Sequence, residues 1–178
     1  MNKILILLLF LFSVSLSAQD VKDKQLSKLD EFTSERGVIL KLQDYKLPNV
    51  KLRYGTAESR IRRVKSGSKV GHFHQLTMKG KYGSKSASIA YEDVVEIQKA
   101  IVVLEKEAQK DVAISSDYLE NKFISEDGVE LGYYVSKGEL GWYIKLDKYG
   151  TDNTLFFKDL ASVKATFQEA KDKIEEVK

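Results

Sequence analysis

Two histidines, two residues apart, are the side chains of this sequence best suited to metal chemistry. His72 and His74 are the only histidines, and in a β-strand residues at this spacing point to the same face. Two imidazoles so placed are able to share a zinc or copper ion. The sequence nominates no third ligand, and Val70, Leu76 and Met78 fall on the same face. The pattern therefore favours half-buried structural histidines, with a metal site or a pH-responsive contact as alternatives.

The rest of the sequence lacks the motifs of common enzyme classes. It contains no cysteine, which excludes disulfides, thiolate metal sites and a cysteine nucleophile. It also lacks the Gly-x-Ser-x-Gly elbow of serine hydrolases. Residues 80–86 contain glycines and lysines but not the order Gly-Lys-Ser/Thr of a phosphate-binding loop. We therefore expect no cofactor and no catalytic residues. A hydrolase or metal-dependent enzyme that uses His72 or His74 is the less favoured alternative.

A basic first half makes three arginines candidates for binding an anionic ligand. Residues 41–85 contain 12 basic and two acidic residues, whereas residues 86–178 contain 12 basic and 19 acidic residues. In the first of these segments, Arg60 and Arg62 share one strand face, and Arg63 takes the opposite face. Because neither face is cleanly apolar, we expect this strand to lie near a sheet edge. An anionic or amphipathic ligand would bind near these arginines.

Aromatic side chains concentrate in the predicted strands of the second half. Tyr133 and Trp142 are candidate ligand contacts there, because aromatic rings offer a large contact area at low entropic cost. Their neighbours Tyr134 and Tyr143 must point to the opposite face of the same strands. The sequence alone therefore indicates no single aromatic stripe.

An internal repeat organises the chain. Lys81–Ser84 recurs as Lys148–Thr151, and each copy precedes a short apolar strand and then a helix. Each helix carries five apolar residues at steps of 3, 4, 3 and 4, which places them on one face. The two sets lie 66 residues apart and are Val94, Ile97, Ile101, Leu104, Ala108 and Leu160, Val163, Phe167, Ala170, Ile174. We expect both stripes to be buried, with Asp93 and Asp159 near the helix N-termini.

The repeat predicts an α+β fold of two tandem related units. Each unit is an antiparallel sheet of about four strands followed by a helix that covers one sheet face. The predicted strands are 38–45, 49–54, 59–66, 69–79 and 86–91 in the first unit, and 118–125, 129–136, 139–147 and 153–157 in the second. The predicted segments are a signal peptide at 1–18, an N-terminal helix within 19–37, unit 1 at 38–110 and unit 2 at 111–178. The two sheets either join edge to edge or form separate lobes.

The N-terminus has the pattern of an export signal. A basic start is followed by an apolar run at residues 4–12 and by small residues up to Ala18. The run is too short to cross a bilayer, which takes about 20 apolar residues. We therefore expect cleavage after Ala18, a periplasmic or extracellular location and no transmembrane segment in the mature chain.

Together these observations predict an exported, non-catalytic binding or interaction protein of the bacterial cell envelope. Its partner would be a protein or an anionic envelope ligand, and export makes nucleic acid a poor candidate. The main alternative is a carrier of an anionic or amphipathic, lipid-like small molecule held near the basic first unit. The sequence leaves the oligomeric state open.

Overall fold

The chain builds an α+β structure from antiparallel sheets and three helices among the residues described. The computed structural model describes residues 27–80, 83–146 and 153–178. The predicted signal peptide, the first part of the predicted N-terminal helix and the repeated motifs at Lys81-Tyr82 and Lys148–Thr151 lie outside these ranges.

The first sheet contains five strands, and an irregular segment at Pro48 interrupts its edge. The strands are β1 (Leu40–Lys46), β2 (Val50–Lys51), β3 (Thr56–Ser66), β4 (Lys69–Gly80) and β5 (Gly83–Ala90). Their order is β1-β3-β4-β5, with β2 pairing to β3 beyond the end of β1. Proline has no N–H for the ladder, so the edge strand is divided at this point into β1 and β2.

The expectation that the arginine strand lies at a sheet edge is wrong. Strand β3 is paired on both sides, because Arg62 lies opposite Asp44 of β1 and opposite Phe73 of β4. The cross-strand neighbours explain how charged residues are accommodated in an interior strand. Asp44 accepts hydrogen bonds from Arg62, and Gln75 accepts one from Arg60.

The second sheet is a four-stranded meander that matches its predicted strands to within two residues at each end. Its strands are β6 (Tyr118–Ile124), β7 (Glu130–Ser136), β8 (Glu139–Lys145) and β9 (Thr154–Phe156), paired in chain order. The β7–β8 hairpin turns through Lys137 and Gly138, whose φ angles are 51° and 78°. Two positive φ angles match the twist of the flanking strands and favour glycine in such a turn.

The two sheets meet at one isolated bridge. Leu52, just after β2, pairs antiparallel with Phe157, just after β9. The backbone N–H of Arg53 also donates to the carbonyl oxygen of Phe156 over 2.8 Å. The sheets are therefore joined edge to edge rather than forming separate lobes.

Both predicted helical stripes face the core. The helices are α1 (Lys28–Ser34), α2 (Tyr91–Asp111) and α3 (Leu160–Val177). All stripe residues are buried except Leu160, which is partly buried at the first position of α3. Asp159 caps α3 by accepting a hydrogen bond from the backbone N–H of Ser162 over 2.8 Å. Asp93 lies in the first turn of α2 and pairs with Lys28 over 3.0 Å.

The expectation that each helix covers the sheet of its own unit is only partly met. Helix α3 contacts β2, β3 and β4 of the first sheet, where the ring of Phe167 lies 5.8 Å from that of His74. Helix α2 contacts strands of both sheets, β4 and β5 as well as β6 and β7. Because the joined sheets share one inner face, α2 spans their junction and α3 packs beside it on the first sheet.

Helix α1 packs on the opposite, outer face of the first sheet. Its Leu29 and Phe32 cover a small apolar cluster that includes Val64 and Phe73. The rings of Phe32 and Phe73 meet edge to face at 5.7 Å between centroids. None of the helices in the described ranges combines the length and apolar character needed to span a bilayer.

Candidate functional site

Tyr133 and Trp142, two of the predicted ligand contacts, lie on the inner face of the second sheet. They are 0% and 4% exposed, and their ring centroids are 5.1 Å apart. The Tyr133 hydroxyl donates to Asp111 Oδ2 over 2.5 Å and accepts from Asn121 Nδ2 over 3.2 Å. Burial, together with the Asp111 carboxylate, raises the pKa of Tyr133 to about 12. In this structure the two rings contribute to the core.

The neighbouring aromatic residues lie on the outer face of the same sheet. We call the set Tyr118, Tyr134, Tyr143 and Phe156 the aromatic face. Tyr118 and Tyr134 are stacked with centroids 6.4 Å apart, and Phe156 meets Tyr134 edge to face at 6.2 Å. Tyr118 is 59% exposed and Phe156 is 37% exposed. A row of aromatic rings therefore crosses the sheet from β6 to β9 on its open side.

A glycine on β8 determines how Tyr134 lies. Gly141 stands opposite Tyr134 in the ladder, and a Cβ at this position would overlap the tyrosine ring. The ring therefore covers the glycine, an arrangement that compensates for a residue without a side chain in a sheet. The result is a flat surface in which the ring has little freedom to reorient.

Charged groups surround the aromatic row. The Tyr143 hydroxyl donates to Glu120 across Gly132, and burial followed by this hydrogen bond raises the pKa of Tyr143. Lys122 Nζ lies 2.7 Å from Glu130 Oε2. Alternation along β8 places Glu139 on the same outer face. The face thus combines the exposed rings of Tyr118 and Phe156 with carboxylates and lysines, whereas the ring of Tyr143 is buried.

The signal that distinguishes the inner from the outer tyrosines was present in the sequence. Leu131, Tyr133 and Val135 alternate along β7, so Tyr133 belongs to the apolar and therefore inner face. Tyr134 then belongs to the outer face. Aromatic content alone did not reveal this alternation, because aromatic residues occupy both faces of the strand.

The structure places two of the three candidate arginines together. Arg62 donates from both Nε and Nη2 to the Asp44 carboxylate, each over 2.7 Å. Arg60 Nη1 lies 3.5 Å from the same carboxylate. The hydrogen bond from Arg62, followed by the charges of both arginines, lowers the pKa of Asp44. Arg63 points to the other face and donates to Gln43 over 3.0 Å. The arginines are remote in the ladder from Tyr133 and Trp142, which belong to the second sheet.

The two histidines share one face but differ in environment. His74 is fully buried, with its Nε2 2.9 Å from the Ser59 hydroxyl, and burial lowers the pKa of its imidazole to about 3. His72 is half-buried and hydrogen-bonds with the backbone of Val177. Burial, followed by the charges of nearby basic groups, lowers the pKa of His72 as well.

Within the described ranges, no three histidine, aspartate or glutamate side chains are grouped so as to hold a metal ion. Elsewhere on the surface, the aromatic face presents the exposed rings of Tyr118 and Phe156. No protein-family model, curated protein or solved structure matches the chain, so this geometry is the basis on which a function is proposed.

Proposed function

We propose that this protein is a non-catalytic binding protein whose contact surface is the aromatic face. The observation that carries the proposal is the row formed by Tyr118, Tyr134 and Phe156, in which Tyr118 is 59% and Phe156 is 37% exposed. Tyrosine and other aromatic residues are enriched at protein interfaces, because their rings contribute large contact area and lose little side-chain entropy.

The charges around the row favour a protein partner over an anionic ligand at this face. Glu120 and Glu139 lie on the same face, whereas Glu130 is 8% exposed and pairs with Lys122 and Lys145. A partner surface that presents arginine or lysine beside apolar side chains would complement both the carboxylates and the rings.

Export and duplication remain part of the proposal. Residues 1–18 support secretion to the periplasm or the extracellular space. The ladders support two tandem related units, because equivalent positions have equivalent partners. His74 lies opposite Ile89 in the first sheet, and Ile144 lies opposite Leu155 in the second.

Site-specific photo-crosslinking in a bacterium that exports the protein tests the contact surface. We expect a benzophenone amino acid in place of Tyr118 to give a discrete adduct, because this side chain is 59% exposed at the end of the row. Adding Tyr134→Ser should reduce the adduct at least about tenfold, since central aromatic residues dominate interface energies. The mass of the recovered chain should also show Gln19 as its first residue.

A crosslinker at Val103 is the matched control, because this side chain is 60% exposed but lies on helix α2. An adduct of equal yield from Val103, or an adduct from Tyr118 that Tyr134→Ser leaves unchanged, would contradict the proposal.

The basic first half supports a second candidate function, the binding of an anionic envelope ligand. Among the described residues, no ion pair joins a basic residue of 41–85 to an acidic residue of 86–178. Within the basic segment, the pairs use the nearby carboxylates of Asp44, Glu58 and Glu35. Its positive charge is therefore largely left for a partner.

Vesicle binding at two salt concentrations tests this second function. We expect the protein to bind phosphatidylglycerol vesicles at about 50 mM salt and to lose most of this binding at about 300 mM, because salt screens exposed charges. Arg63→Gln should weaken binding, since Arg63 has a neutral partner, Gln43. Equal binding to phosphatidylcholine vesicles, or no dependence on salt, would exclude the charge-driven mechanism.

A further inference from the structure

A pocket of about 390 Å³ lies where helix α1, the start of β4 and the start of helix α2 meet. Its apolar walls include Phe32, Val70 and Phe73, and its polar lining includes His72, Tyr91, Glu31, Glu92, Lys28 and Lys178. A pocket of this size with apolar walls and a few polar groups has the general character of a small-molecule site. It lies on the first sheet, apart from the aromatic face.

One ring nitrogen of His72 is a hydrogen-bond acceptor without a donor partner. Its ring hydrogen-bonds with the backbone of Val177, which raises its pKa, as expected of a ring N–H that donates to a carbonyl oxygen. The net shift of the His72 pKa is nevertheless downward, which favours the neutral ring. Its Nε2 atom is buried and has no partner in the structure. A neutral imidazole that donates from one nitrogen accepts at the other, so Nε2 is an acceptor.

Several carboxylates, which accept hydrogen bonds, lie in or near the pocket. Glu31 and Glu92 are exposed at its rim, and neither forms an ion pair with any described residue. Behind Lys28 lies Asp93, which is 5% exposed and whose Oδ2 atom is buried without a partner. Asp127 Oδ2 is likewise buried without a partner, while Asp127 Oδ1 accepts from the backbone N–H of Lys28.

The two lysines that line the pocket do not neutralise its carboxylates. Lys28 Nζ is already paired with Asp93 at 3.0 Å and with Glu126 at 2.9 Å. Lys178 Nζ lies over the ring of Tyr91, 3.2 Å from its centroid. The second contact shows that the pocket wall accommodates an ammonium group against an aromatic face. Among the described residues, Glu31 and Glu92 are therefore the lining carboxylates without an ion-pair partner, so a ligand that supplies charged N–H groups would be favoured here.

We propose that this pocket binds a small organic cation, a primary ammonium or guanidinium group carried on an apolar body. The cationic group donates hydrogen bonds to the exposed carboxylates of Glu31 and Glu92, beside the ring of His72. The apolar body packs against Phe32 and Phe73. This proposal does not depend on the aromatic face, because the pocket shares no residue with it.

Calorimetry on the mature full chain with 2-phenylethylammonium as the probe tests the proposal. We expect saturable binding to one site, with backbone amide NMR shifts concentrated at Gly71, His72 and Tyr91. Two probes of similar shape serve as ligand controls, neutral 2-phenylethanol and anionic 3-phenylpropionate. Both should bind at least about tenfold more weakly, because they lack the charge-assisted hydrogen bonds. Equal binding of either control would overturn the proposal.

Two substitutions, one that removes a negative charge and one that removes a positive charge, test the charge of the ligand. Glu92→Gln should weaken binding of the ammonium probe about tenfold, since a hydrogen bond to a charged partner is lost. Lys178→Gln should strengthen the binding, because a like charge that lines the pocket is removed. Glu96→Gln is the matched control on the same helix, since Glu96 pairs with Lys99 and does not line the pocket.

The reverse pattern, with weaker binding after Lys178→Gln and no effect of Glu92→Gln, would identify an anion site and overturn the proposal. Absence of binding at millimolar probe, in a chain whose melting temperature is normal, would overturn the proposal as well. Either result would leave the crosslinking test of the aromatic face unaffected.

Discussion

Replacing Phe167 by alanine is expected to lower the free energy of unfolding by about 3–5 kcal/mol. Phe167 is 0% exposed on α3, and its ring packs against His74 in the middle of the first sheet. The substitution leaves a cavity that the paired strands below cannot close, because their ladder fixes their positions. It also weakens the attachment of α3 to the first sheet.

Urea unfolding monitored by circular dichroism measures this loss, and Phe156→Ala is the matched control. Phe156 has the same side chain but is 37% exposed on the outer face of β9, so its truncation should cost clearly less. If the two variants lost equal stability, the placement of α3 on the first sheet would be wrong.

Acid is expected to destabilise the protein through His74, by about 2–3 kcal/mol between pH 6.5 and pH 4.5. Burial lowers the pKa of His74 from its ordinary 6.5 to about 3 in the folded chain. Between pH 6.5 and about pH 3, His74 binds a proton in the unfolded chain but not in the folded chain. The free energy of unfolding therefore decreases as the pH falls. The loss begins below pH 6.5 and continues until about pH 3.

Comparison with His74→Gln isolates this contribution, because every other titrating group is present in both proteins. The free energy of unfolding of the variant should depend on pH less steeply, by about 1.4 kcal/mol per pH unit in this window. An NMR titration of the folded protein gives an independent check, in which the His74 ring signals should not move above pH 4.5. A titration midpoint near 6.5 in the folded state would refute the argument.

The candidate site shows where sequence reasoning succeeds and where it fails. Alternation correctly placed Arg60 and Arg62 on one face of a strand and Arg63 on the other. It did not reveal Asp44, which comes from a strand 18 residues away from Arg62 and reaches it only through the β1–β3 register. The same limit applies to the pocket, whose walls come from four separate parts of the chain.

The sequence by itself determined the positions of the strands to within three residues at each end, and it determined the buried stripes of α2 and α3. These features depend on local patterns, namely apolar periodicity of two or of three to four residues and glycines that permit turns. The capping role of Asp159 was local in the same sense, since its partner Ser162 is three residues away.

Only the tertiary structure decided which surfaces face outward and which helix covers which sheet. The apolar alternation of Leu131, Tyr133 and Val135 already favours Tyr133 as the inner residue. The packing of β7 against α2 fixes that choice, because a shift of one residue exchanges the two faces of a strand. The bridge between Leu52 and Phe157 creates a shared inner face, which lets α3 cover the first sheet instead of the sheet that precedes it. Such pairings join residues far apart in the chain, and no local pattern encodes them.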